Sequence, residues 1–328
     1  MKNTYLFTGN YEITYIKYLI QKLNNDEWDK YSIKNKNPDL LFFFHDKYDK
    51  YDHKYYDIET KLQNILAKGN NGVEIITDKY NLYFNMLKYE PEICKKHMMK
   101  SYKIDKNFKV NDKVYIIKPV GKGFYSGNGI HIITTQKEYD KLFPTLKSNK
   151  YIISEYLVNP FLLYKKKFHL RVYFLVTNIN NKTDWSVFNT FEVVTSKENY
   201  KMSDYTNTEI HDTHFKYNLK DIFLNNHTYK MFKITISEYN YITNQIFIIL
   251  KSVFNLVKKH SRPYKNAKNA FEIFGCDFLI DDNLIVYLLE INDHIGLRQL
   301  DPDSIPVINF EKKMARWIYD KTIIKTFY

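Results

Sequence analysis

Lys118 ends the apolar run Tyr115-Ile-Ile-Lys118, and Pro119 follows it at once. Four of the nine glycines in the chain then fall close together, at Gly121, Gly123, Gly127 and Gly129. Glycine lets backbone N–H groups turn toward an anion without side-chain obstruction, and a lysine at the strand end adds a full positive charge. That combination suits phosphate. The bland alternative is a flexible hairpin tip, but Pro119 fixes the exit from the strand, which a plain tip does not need. No Gly-Lys-Ser/Thr follows at P-loop spacing, and no helix opens after the glycines as a dinucleotide fingerprint requires.

A second group is built from oxygen ligands. Asp277 lies in Phe274-Gly-Cys-Asp-Phe-Leu-Ile280, and Glu290 and Asn292 lie in Leu288-Leu-Glu-Ile-Asn292. Residues two apart in a strand share a face, so Glu290 and Asn292 point together, and a tight hairpin brings Asp277 beside them. A carboxylate in so apolar a strand needs a cation or a donor. Hard oxygens suit magnesium bridging phosphates.

A third segment, Lys167-Phe-His-Leu-Arg-Val-Tyr173, sets Arg171 on one strand face with His169 and Tyr173. A planar guanidinium fits phosphate, its alternative being a buried pair with one of the acids. His169 is expected to be structural or a substrate-side contact. Lys79, just ahead of a helix, is placed to reach a nucleotide, with a solvated lysine the alternative. Tyr156 and Leu157 can offer backbone groups to adenine, and Glu155 can accept from the exocyclic amine or the ribose. Together these are the parts needed to hold ATP and Mg2+.

The elements that must position them read as alternating strands and helices. Strands are expected over Thr4–Thr8, Asp39–Phe44 and Val73–Thr77, and helices over Tyr11–Leu23, Ile58–Ala67 and Tyr80–Tyr89. The pattern predicts a small α/β N-terminal domain over 1–76. Tyr115–Lys118 and Gly129–Thr134 are predicted partners across the glycine loop. Strands are also expected over Tyr151–Glu155, Phe168–Val176 and Trp185–Thr195. Ser196–Asn226 reads as mostly loop, and Tyr239–His260 as a long amphipathic helix. Ala270–Ile280 and Leu284–Ile291 form a hairpin around Asp281-Asp-Asn283, and Ile305–Ile324 closes as a helix.

Composition narrows the function classes. The 328 residues are 44% hydrophobic, enough for a large core in two or three parts. No run of about 18 apolar residues predicts a membrane span, and the start is too short in apolar residues for a secretory signal. Cys94 and Cys276 are far apart, which suggests free thiols in a reducing compartment. The expected location is therefore cytoplasmic, the host's cytoplasm if the source is viral. A net charge of +12 favours acidic partners. Only four residues are arginine, so lysine excess also records an AT-rich coding bias, and Arg171 is the more informative for it. No zinc-finger or RNP-type motif supports nucleic acid binding.

These segments, in this order from about Ile76 to Asn292, resemble the tubulin–tyrosine ligase-like family, a branch of the ATP-grasp ligases. The most specific pieces are Ile116-Ile-Lys-Pro119, the Gly-Asn-Gly-Ile130 loop end, Glu155-Tyr-Leu-Val-Asn-Pro-Phe-Leu-Leu163, Lys167-Phe-His-Leu-Arg-Val-Tyr173, Phe274-Gly-Cys-Asp-Phe278 and Leu289-Glu-Ile-Asn292. The resemblance implies an α/β ATP-grasp fold, with a central subdomain over 77–155 and a C-terminal one over 156–328 that holds Mg-ATP. It implies a ligase that phosphorylates a protein carboxylate and joins an amino acid to it, on an acidic tail such as tubulin's. By carry-over, Lys79 and Lys118 meet phosphates, Arg171 and Glu290 form the catalytic pair, and Asp277, Glu290 and Asn292 hold magnesium.

The departures all concern the acceptor side. Where the family has an arginine after the strand over 185–195, this chain has Phe191-Glu-Val-Val-Thr-Ser196. The next landmark survives only as Ile210-His-Asp-Thr-His214, and Asp293-His-Ile-Gly-Leu297 replaces small residues and proline. Arg298 and His211 are candidate replacements for the missing cation. Two other readings stand beside the ligase: an ATP-grasp ligase with a non-tubulin or small-molecule acceptor, and a catalytically silent module that docks on an acidic partner.

Overall fold

The computed structural model describes residues 2–8, 15–30, 37–43, 60–64, 73–120, 129–146, 150–211, 213, 222–260, 267–293 and 304–328. The chain opens with β1 (Thr4–Thr8), α1 (Ile16–Asn25), β2 (Asp29–Lys30), β3 (Leu40–Phe43) and β4 (Thr60–Gln63). These strands run parallel, β1 between β2 and β3, with β4 beyond β3. The helix expected over 58–67 is a strand where it is described. Four residues form no stable helix alone, whereas here β4 is paired on both sides, Leu62 opposite Leu40 of β3 and Asn269 farther along the chain.

The strand expected over 73–77 is a helix, α2 (Glu74–Thr77), which turns directly into α3 (Lys79–Tyr89). A short apolar run does not distinguish the two states. Asp78 decides the break: its side chain accepts the N–H of Asn81 and caps α3. The expected boundary after residue 76 falls inside α2. Then α4 (Pro91–His97) leads into β5 (Ser101–Lys103), β6 (Tyr115–Pro119), β7 (His131–Ile133), α5 (Gln136–Leu142) and β8 (Tyr151–Glu155). Those four strands form an antiparallel sheet in the order β5-β8-β6-β7, with the expected β6–β7 pairing. Its own core gathers Tyr115, Ile117, Tyr139 and Ile153.

The remaining elements are β9 (Leu162–Leu163), β10 (Lys166–Ile179), β11 (Lys182–Val187), β12 (Phe191–Asn199), α6 (Thr208–His211), β13 (Phe223–Leu224), α7 (Ile236–His260), β14 (Ala267–Ile280), β15 (Val286–Asn292), α8 (Ile305–Ile318) and α9 (Ile324–Phe327). The single strand expected over 185–195 is two. One edge of β10 is shared, β11 pairing with Phe174–Ile179 and β12 with the stretch from Lys166 to Arg171. The stretch expected to be loop after Ser196 carries the end of β12, α6 and β13. The β14–β15 hairpin forms as expected, its turn held by Asp281, whose Oδ1 accepts the N–H groups of Asn283 and Ile285.

All the strands outside the small sheet join one large sheet, in the order β13-β12-β10-β14-β4-β3-β1-β2, with β9 and β11 beside β10 and β15 beside β14. Alternation along β10 decides what covers each face. Leu170, Val172, Phe174 and Val176 pack under α7, against Ile242, Ile246, Ile249 and Val253. Tyr173 and Leu175 face the other way, into a core with Ile16 and Leu19 of α1 and Phe310 and Met314 of α8. Lys167, His169 and Arg171 share that second face by alternation. The fold is α/β. No helix among the described residues is long and apolar enough to cross a membrane, and both cysteines are buried and free.

Candidate active site

Four neighbouring strands place one charged residue each in a cross-strand row. Arg171 of β10 sits directly opposite Glu192 of β12 on one side and Asp277 of β14 on the other. Asp277 in turn lies opposite Glu290 of β15. A bulge between Asp277 and Phe278 interrupts the ladder just there, and Gly275 pairs with Asn292 two residues on. Directly opposite residues in antiparallel strands point to one face. The register thus gathers three acids, an arginine and an asparagine from four strands.

Every acid of the row has a cation or a donor. Arg171 donates from Nε to Asp277 Oδ1 and from Nη2 to Asp277 Oδ2, the latter at 2.9 Å. This two-pronged pair is well inside the protein, the side chains being 14% and 3% exposed. Burial works against the guanidinium charge, but Asp277 outweighs it and holds the arginine's pKa above its usual value. Gly275 makes the arrangement possible. A Cβ there would lie 3.0 Å from Arg171 Cδ and 3.4 Å from Nη1. Glu290 pairs with Lys79 at 2.7 Å. Lys79 begins α3, and although burial disfavours its charge, Glu290 raises its pKa. Asn292 Nδ2 lies 3.4 Å from Asp277 Oδ2 and 3.2 Å from Glu290 Oε1. Glu192, 4% exposed, accepts from the Tyr173 hydroxyl at 2.8 Å. Burial pushes its pKa up, against the pull of Arg171 and the Tyr173 hydroxyl.

Lys118 approaches this row from the small sheet. Tyr115 and Ile117 turn into that sheet's own core, so Ile116 and Lys118 face the other way. Burial lowers the pKa of Lys118 to about 8, Glu290 and Asp277 acting against that shift and Lys79 with it. Among the described residues it makes no ion pair within 4 Å. The small sheet therefore presents a desolvated cation to the acids of the large one.

Other expected site residues fall elsewhere. The Glu155 carboxylate is not brought to this row. It lies opposite Tyr115, on the side of the small core, and accepts from Lys113 at 2.7 Å and Tyr102 at 3.1 Å. Strand alternation sends Tyr156 the other way. Its N–H donates to Val114 O, and its hydroxyl joins a chain in which Lys167 donates to Tyr156, Tyr156 to His211 Nδ1, and His211 Nε2 to the carbonyl of Asp204. Burial lowers the pKa of His211. A neutral ring bonded at both nitrogens does not replace a missing cation. Leu157, next in the chain, is half-buried. His169 lies with Nδ1 2.6 Å from Thr213 Oγ1 and Nε2 3.7 Å from Asp277 Oδ1, which makes it part of the site's wall. Gly129 adopts φ +79°, a conformation that favours glycine. Gly121, Gly123, Gly127 and Arg298 lie outside the described residues.

Sequence reasoning missed Glu192 and Tyr173. The signal for Glu192 was present, a lone acid between Phe191 and Val193, but that segment was read only for the arginine it lacks.

A large sheet with a row of paired acids, faced by a smaller antiparallel sheet that carries a half-buried lysine, is the arrangement of the ATP-grasp class of α/β folds. The chain belongs to the tubulin-tyrosine ligase family, whose sequence profile matches residues 44–309. Over 236 residues it is 28% identical to Tubulin glycylase 3C of Tetrahymena thermophila, a match that covers 62% of this chain and 21% of that protein. It is 26% identical over 236 residues to Probable tubulin polyglutamylase ttll-9 of Caenorhabditis elegans, covering 62% of this chain and 54% of that one. It is 30% identical over 184 residues to Probable tubulin polyglutamylase TTLL2 of Homo sapiens, covering 51% and 29% respectively. The chain spans about a fifth of the length of the first curated relatives it matches.

Proposed function

We propose that this protein is an ATP- and Mg2+-dependent ligase that joins an amino acid to a protein carboxylate on an acidic, tubulin-like tail. The observation that carries the reading is Lys118, a half-buried lysine with no ion pair within 4 Å among the described residues, near two acids that already hold Lys79 and Arg171. A site with three converging cations is built to receive a polyanion. Lys79, Lys118 and Arg171 take the phosphates, Arg171 nearest the phosphoryl group transferred. Gly121, Gly123, Gly127 and Gly129 are the residues expected to meet them through main-chain groups, and the Tyr156 carbonyl and Leu157 offer main-chain groups to the base.

The donor set suits magnesium. Asp277, Glu290 and Asn292 supply hard oxygens on adjacent strands, although two are carboxylates and the third an amide. Among the described residues no group of three His, Cys, Asp or Glu side chains could hold a metal. Asn292 completes the set only with its amide turned so that oxygen faces the acids, which ordinary amide geometry permits. Bound there, the ion would neutralise charge on the phosphates.

The chemistry then balances simply. An acceptor carboxylate oxygen attacks the γ-phosphorus and ADP leaves. The amine of the incoming amino acid attacks the acyl carbon, phosphate leaves, and the amine's proton passes to solvent. Positioning and charge neutralisation supply the rate.

Calorimetry of ATP binding with and without Mg2+, in the wild type and in Glu290→Gln, tests this. Magnesium-dependent binding lost in the variant is expected. A wild type that binds no ATP would sink the ligase reading and favour a docking module. Screening acidic peptides against small carboxylates for ADP release separates the tubulin-like acceptor from a small-molecule one.

A further inference from the structure

Both acids proposed as metal ligands are already occupied by cations. Asp277 gives both oxygens to Arg171, and Glu290 is paired with Lys79. An ion that takes Asp277 therefore draws it partly away from Arg171. A buried guanidinium that loses its carboxylate is strongly disfavoured unless a second negative charge stands by.

Glu192 is that charge. It lies directly across from Arg171 on the side opposite Asp277, where facing side chains have Cβ atoms about 4.5–5.5 Å apart. Burial disfavours the charge of Arg171, and the carboxylates that support it are Asp277 and, on the other side, Glu192. Tyr173 donates to Glu192 Oε2 and fixes the carboxylate, while Oε1 takes no hydrogen bond among the described residues. The cation that acts on Glu192 is Arg171. It stands on the far side of the arginine from the phosphate-facing lysines. Nothing about strand β12 asks for a buried acid between Phe191 and Val193, where an apolar residue would pack as well.

We propose that Glu192 is a positioning residue. It shares the guanidinium of Arg171 when Asp277 turns to the metal, so the arginine stays charged and anchored on the β12 side throughout. Loading of metal and nucleotide is then an exchange of ion pairs across the row, and Glu192 makes the exchange possible. This rests on the Mg-ATP reading of the site and deepens it.

The test is binding of a non-hydrolysable ATP analogue as a function of Mn2+, in the wild type, Glu192→Gln and Tyr173→Phe, with thermal melts alongside. In Glu192→Gln, Arg171 keeps its hold on Asp277. The Mn2+ needed for half-maximal binding should rise about tenfold, in the range of ordinary site-to-site couplings, while metal-free affinity for the analogue does not fall. Tyr173→Phe keeps the charge but frees the carboxylate, and should shift the Mn2+ requirement the same way by about two- to threefold. It also keeps the question open to test should Glu192→Gln not fold. An unchanged Mn2+ requirement in a folded variant, or equal weakening with and without metal, overturns the proposal and leaves Glu192 structural. A wild type that binds no analogue at any Mn2+ concentration overturns the Mg-ATP reading itself.

Discussion

Lys118 carries a charge that its surroundings do not favour, and its pKa of about 8 puts that charge within reach of ordinary buffers. Only the protonated form attracts phosphate. With the pKa lowered, that form predominates below pH 8, is halved there and is lost as pH rises further. ATP affinity should therefore be level from pH 6.5 to 7.5 and fall at higher pH, by up to about tenfold per unit. Lys118→Arg keeps its proton throughout and should abolish the fall, which calorimetry across pH would show. Gly275 makes a second prediction. A methyl group there meets the Arg171 stem at 3.0 Å, and the arginine is pinned by Asp277 and cannot simply swing aside. Gly275→Ala should lower ATP-dependent turnover by about 100-fold with little loss of folding stability. Turnover at the wild-type level would mean that the arginine has room to spare. At this scale the sequence was informative. Buried acids in apolar strands and an arginine in a lysine-rich chain stand out because their burial demands partners. Glu155, an acid in a similar setting, turned the other way because strand alternation, not residue type, decides which side a carboxylate faces.

Two of the misread elements, β4 and α2, are each four residues long. Segments so short carry no periodicity that separates the two states. β4 is a strand because β3 and β14 pair with both its edges, and α2 is helical because it leads into α3 at the Asp78 cap. Leu62 anchors β4 in a core shared with Leu40, Phe42 and Phe271, and it is fully buried. Leu62→Ala should cost about 2–5 kcal/mol in urea unfolding, where an exposed helix residue would cost a few tenths. The longer elements were readable because their patterns repeat. α7 sets Ile242, Ile246, Ile249 and Val253 on one stripe, and β10 alternates its faces over fourteen residues.

Across the whole molecule, one face of the large sheet is covered by α7 and the other by α1 and α8. The second interface contains an acid the proposed chemistry does not use. Glu311 on α8 is 1% exposed, and burial raises its pKa to about 7, with only Lys17 opposing. A carboxylate that holds its proton more tightly when folded favours the folded state at low pH, and this advantage disappears as pH rises from about 4.5 to 7. Glu311→Gln should therefore stabilise the protein by about 1–3 kcal/mol at pH 8.5 and by little at pH 5, measured by denaturant unfolding. A gain equal at both pH values would place its cause outside this carboxylate. The sequence by itself determined the α/β class, the long elements and the residue types of the site, since periodicity and the cost of burying charge act locally and are written in the chain. Only the tertiary structure decided which charges meet. The row Glu192, Arg171, Asp277 and Glu290 exists because two distant stretches of the chain, β10 with β12 and β14 with β15, align in one register. Pairing register depends on turns, bulges and packing across the whole sheet, and no single segment contains it.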